Sequence, residues 1–177
     1  NLALAISTGQ EWCGKKVKQV PVIYIAAEGA GGFAKRIEAH RRHHGGIDDA
    51  KFYPILTGVN LLDPDADLGP ILHWVEEFDA GLVIVDTLAR TMAGGNENSP
   101  EDMGIYIANC DKIREMTGAH VSVVHHSPKH NNNTPRGHSS LFGAVDALIR
   151  VEKRETGHAA KVEASKDDED GLEIGFS

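Results

Sequence analysis

The sequence predicts an α/β fold with a mainly parallel central sheet and antiparallel strands at its carboxyl end. Two observations carry this. Short apolar runs alternate with segments of helical period through most of the chain, which is the order that builds an open parallel sheet with crossover helices. The three clearest runs end on Glu28, on Asp86 and on the His125/His126 pair, and ligands of such sheets bind outside the carboxyl ends of the strands.

The elements follow in chain order. NLALAISTG (1–9) reads as the end of an amphipathic helix stopped by Gly9. VIYIAAE, between Pro21 and Gly29, is apolar and β-branched up to its glutamate, as a strand covered on both faces should be. Gly29, Gly31 and Gly32 turn the chain into FAKRIEAHRRHH, a helix with Phe33 and Ile37 inward and Arg36, Arg41 and Arg42 outward. KFYPIL (51–56) is a strand that Pro54 confines to an edge. Leu68, Ile71, Leu72 and Val75 form the apolar stripe of a helix beginning after Asp67. GLVIVD (81–86) returns to the sheet. Ser99 caps and Pro100 starts the next helix, with Met103, Ile107 and Ile113 near helical spacing and Gly118 as its stop. AHVSVVHH is a further strand, and the tail from Leu141 reads as a short helix followed by antiparallel strands. No internal repeat occurs.

Composition narrows the function classes. At 177 residues one domain buries roughly 70% of its unfolded surface, so a single core spanning 1–177 is expected. Charged residues at 25% and hydrophobic ones at 41% are ordinary for a globular chain, and no run reaches a membrane-spanning length. A net charge of −8 gives no general basic surface for nucleic acid or anionic lipid. Cys13 and Cys110, far apart and without partner ligands, fit reduced thiols and a cytoplasmic location.

AAEG, VIVDTLAR, GNENSPEDM, VVHHSPK and PRGHSS occur in this order. Together they resemble the RecA-like, three-layer ATPase core of the hexameric plasmid replicative helicases of the RepA type and their phage and bacterial relatives, over about residues 1–170. The resemblance implies ATP and Mg²⁺ as cofactors, single-stranded DNA as a partner and a homo-oligomeric ring, a hexamer in the named helicases. It implies that Asp86 stands at the Walker B position and holds Mg²⁺, with Thr87 beside it at the nucleotide. Glu28 is similar to the glutamate that orients the attacking water. His126 matches the position that senses the γ-phosphate and relays its loss to the following loop. That loop, 127–136, corresponds to the one facing the central channel, and Lys129, His130 and Arg136 give it local positive charge. Arg136 is also a candidate nucleotide contact. Simpler readings stand beside these: Glu28 as a helix-start acid, His126 as a loop-edge histidine, and the NEN segment Asn96–Asn98 as solvated turn chemistry.

Two departures from the family pattern matter. The sequence contains no GxxxxGK followed by Ser or Thr, the motif whose backbone N–H groups and lysine cradle the phosphates. The chain is therefore expected to begin just beyond the phosphate loop and to be inactive alone. The family's arginine-finger position falls on Asp146, which leaves Arg136, Arg150 and Lys166 as candidate trans-acting cations. Two rivals follow. One is a degenerate RecA-like module that binds DNA or assembles without turnover. The other is a metal hydrolase using His125, His126, His130 and His138 with Asp86, and His40 and His44 add a helical pair at chelating spacing. Against it, adjacent histidines on a strand face opposite ways, and HExxH is absent.

Overall fold

The computed structural model describes residues 1–126, 139–167 and 170–176. The order of elements is α1 (Leu2–Thr8), β1 (Val22–Ala26), α2 (Phe33–His44), β2 (Phe52–Ile55), α3 (Leu68–Glu77), β3 (Leu82–Asp86), α4 (Pro100–Thr117), β4 (His120–Val124), α5 (Ser140–Ala144), β5 (Ala147–Lys153), β6 (His158–Ser165) and β7 (Glu173–Phe176). β1 to β4 form a parallel sheet in the order β2-β1-β3-β4, and β5 to β7 form a separate antiparallel sheet. The mainly parallel sheet with antiparallel carboxyl-terminal strands is thus present as two sheets. Pro54 lies on the edge strand, where its missing N–H costs no central ladder bond.

Alternation along the inner strands assigns their side chains to two layers. Ile23, Ile25, Val83 and Val85 face one way, into a core that takes Leu68, Ile71 and Val75 of α3 and Met103, Tyr106 and Ile113 of α4. Val22, Leu82 and Ile84 face the other way and pack with Ala3 and Ile6 of α1. Both faces are therefore covered, which is what apolar runs without polar alternation require. The order helix, sheet, helix is the expected three-layer arrangement.

Helix α4 shows how local signals fix an element. Ser99 Oγ accepts from the Asp102 N–H at 3.2 Å, Pro100 needs no N–H in the first turn, and Gly118 closes the helix at φ 74°. Two polar side chains on this helix are buried and partnered. The Tyr106 hydroxyl lies 2.9 Å from Thr91 Oγ1, and Asn109 Nδ2 donates to the Leu61 carbonyl at 2.9 Å. These tie α4 to the segments around β3 and before α3.

One pH dependence follows from α4. Burial first, and the neighbouring Asp111 second, push the Cys110 thiol from 9.0 up to about 12. The neutral thiol is thus favoured by the fold, so its contribution to stability is complete below pH 9 and is lost as pH rises through about 12. Burial raises the Tyr106 phenol as well, adding to the same alkaline loss. Denaturant midpoints measured from pH 8 to pH 11.5 should fall steadily above pH 9, and Cys110→Ala should flatten that slope. An equal slope in the variant would remove the thiol from the account.

Candidate active site

Parallel register brings the strand ends together. Ala26 pairs with Asp86 and Asp86 with Val124, so β1, β3 and β4 finish side by side. The ladder extends one step further: the Glu28 N–H donates to the Asp86 carbonyl at 3.1 Å. Glu28, Asp86 and His126, 98 residues apart at their extremes (126 − 28), thereby converge on one edge.

The side chains complete a connected cluster. Thr87 is buried, and its hydroxyl donates to Glu28 Oε2 at 3.2 Å. His126 Nε2 stands 3.5 Å from the same oxygen. The Tyr24 hydroxyl donates to Asp86 Oδ2 at 2.6 Å, a short bond of the charge-assisted kind. Burial, then the bond to Asp86, raises the Tyr24 phenol above its ordinary value and keeps it a donor. The peptide joining Asp86 to Thr87 is cis. Glu28 and His126 remain open to solvent, with side chains 45% and 62% exposed, whereas Thr87 is 2% exposed. The cluster therefore has a buried hydroxyl floor and an acid and a histidine reachable from outside.

Its donor atoms suit a hard cation. Asp86, Thr87 and Glu28 offer carboxylate and hydroxyl oxygens, the ligands Mg²⁺ prefers, and such sites use few protein ligands together with substrate phosphates. A phosphate cradle of the GxxxxGK type is not among the 177 residues. Among the described residues no group of three or more His, Cys, Asp and Glu is placed to hold a metal. Two of the four histidines of the histidine-based hydrolase, His130 and His138, lie outside the described residues. His40 and His44 do meet, with ring centroids 4.5 Å apart, and burial followed by the charge of His44 lowers the His40 pKa.

Of the remaining sequence-selected cations, only Arg150 and Lys166 are among the described residues. Lys129, His130 and Arg136 are outside the described residues. Arg150 is bound within the antiparallel sheet, its Nε 2.6 Å from Glu163 Oε1. Lys166 reaches Asp146 Oδ1 at 3.1 Å and the Ala144 carbonyl at 3.3 Å, and that ammonium holds the Asp146 carboxyl below its ordinary value. Asn96 and Asp102 organise the loop after β3, where the Asn96 N–H donates to Asp102 Oδ2 at 2.8 Å. Sequence reasoning missed Tyr24 as a site residue, because a tyrosine in an apolar strand carries no local sign of a partner 62 positions away.

The layout is that of a RecA-like ATPase domain, and solved structures share the fold. A crystal structure of the RadB recombinase matches with a TM-score of 0.58 at 15% identity, covering 87% of this chain and 73% of that one. A KaiC-like protein from the hyperthermophilic archaeon Pyrococcus horikoshii matches with a TM-score of 0.60 at 13% identity, over 97% of this chain and 76% of that one. Within this class, the family model AAA_25, an AAA domain, matches residues 1–132. The chain belongs to the AAA_25 family, for which nucleotide binding is implied. Curated proteins compared by sequence give no match. Among the described residues no helix is long and apolar enough to cross a membrane.

Proposed function

We propose that this chain is the motor core of a Mg²⁺-dependent ATPase that acts on single-stranded DNA, of the replicative helicase type, working as a homo-oligomeric ring. The observation that carries the reading is the bonded cluster Glu28–Thr87–His126 beside Asp86, at the edge where a RecA-like sheet binds its ligand. Helix α1 packs on the sheet face shared by Leu82 and Ile84.

The residues divide the work. Glu28, open to solvent and held by Thr87, orients the attacking water and accepts its proton. Asp86 holds the cation, which supplies charge neutralisation at the transferred phosphoryl group. Thr87 fixes the glutamate rather than reaching solvent itself. His126 stands 3.5 Å from Glu28 and immediately precedes segment 127–136, so it couples the state of the acid to the loop carrying Lys129, His130 and Arg136, which tracks the DNA. Arg136, Arg150 or Lys166 acts across the subunit boundary. For Arg150 and Lys166 this requires release from Glu163 and Asp146.

The test is Mg·ATP turnover by the chain and by a version extended upstream, with and without single-stranded DNA. Turnover stimulated by DNA, and lowered by joint replacement of Lys129 and Arg136 with alanine, is the expected result. Turnover indifferent to DNA would leave an ATPase of another role. No turnover at all would favour the module that binds or assembles without hydrolysis.

A further inference from the structure

We propose that Tyr24 is a positioning residue for the Asp86 carboxylate, a role that rests on Asp86 being the cation ligand. Tyr24 pairs in register with Ile84, and Asp86 follows two residues later on the same face of β3. The phenol thus runs along one pleat step, a span of roughly 7 Å, and ends 2.6 Å from Asp86 Oδ2. Its ring cannot swing freely. It lies 5.3 Å from Phe33 and 5.9 Å from Phe52, and those two rings stack on each other at 6.2 Å with planes 4° apart.

An aromatic trio on three different elements therefore fixes the hydroxyl, and the hydroxyl fixes the acid. One carboxylate oxygen accepts from the phenol, which restrains rotation of the group and would leave its other oxygen open to the cation. A tyrosine present only to fill the layer needs no acidic partner at this distance, since its hydroxyl could equally be solvated at a strand end. The arrangement is an outer-shell orienter of a metal ligand, and such partners typically contribute about 10–100-fold to metal affinity.

The experiment measures Mn²⁺ binding, as a stand-in for Mg²⁺, from the free-ion paramagnetic resonance signal in the presence of ADP. It uses the full-length protein, as wild type, Tyr24→Phe, Asp86→Asn and the double variant, each checked for folding by circular dichroism. Tyr24→Phe keeps the ring stack and should raise the dissociation constant roughly tenfold, with no further effect in the Asp86→Asn background. Wild-type affinity in Tyr24→Phe, or the same loss in both backgrounds, overturns the role of Tyr24 and leaves the ATPase reading intact. Wild-type affinity in Asp86→Asn removes Asp86 as ligand and the Tyr24 role with it. If Tyr24→Phe does not fold, Phe33→Leu, which loosens the ring and retains the hydroxyl, takes its place in the same cycle with a smaller loss expected.

Discussion

Glu28→Gln is expected to lower Mg·ATP turnover of the intact ATPase by about 10²–10⁴-fold, the usual contribution of a positioned general base, while leaving nucleotide affinity near its wild-type value. The amide retains the size of the carboxylate and an oxygen that can still accept the Thr87 hydroxyl bond seen at 3.2 Å. What it loses is the ability to take a proton from water. Because the Glu28 side chain is 45% exposed and its histidine partner 62% exposed, removing its charge leaves no buried charge unpaired, so stability should barely change. A steady-state phosphate-release assay and a fluorescent-nucleotide titration separate the two effects. Loss of binding in step with turnover would make Glu28 a structural acid at the strand end.

Leu88→Ala should cost about 2–5 kcal/mol of folding stability, the range for truncating a well-packed aliphatic side chain. Leu88 is fully buried, begins the tight turn Leu88–Arg90 and belongs to the core between the sheet and helices α3 and α4. It also directly follows Thr87, so any relaxation into the cavity moves the hydroxyl that holds Glu28. Leu56→Ala makes the control: at 45% exposure it should change stability by less than about 0.5 kcal/mol. Chemical denaturation of both variants decides the matter, and equal midpoints would mean that the Leu88 site collapses without a cavity.

The strands were legible because burial on both faces leaves continuous apolar runs, and VIYIA and LVIVD are short and rich in β-branched residues, as strands rather than buried helices are. Helix α4 was legible at both ends because Ser99, Pro100 and Gly118 each satisfy a different unpaired backbone group. Pro54 announced an edge strand for the same kind of reason. Glu28, Asp86 and His126 stood out as polar residues at the ends of apolar runs, and strand adjacency then set them side by side. Partners distant in sequence were not legible. Periodicity tells that Tyr24 faces a layer, but not that Asp86 waits at the end of its hydroxyl. Nor does it tell that Thr91 and Tyr106 share a buried bond, or that Arg150 is taken by Glu163. Those pairings depend on register between elements, which a single strand does not encode.

The bond from the Glu28 N–H to the Asp86 carbonyl has a bearing on how this lineage can change in length. Two acids held by one rung of a ladder share a reading frame. A single-residue insertion or deletion between Val22 and Glu28 would carry the glutamate off its rung and turn alternate side chains toward the opposite layer. The connections at 45–50 and 93–98 lie between elements, where added residues displace no ladder partner. Natural length variants should therefore collect in those connections, while the seven positions from Val22 through Glu28 keep a fixed count even where their identities drift.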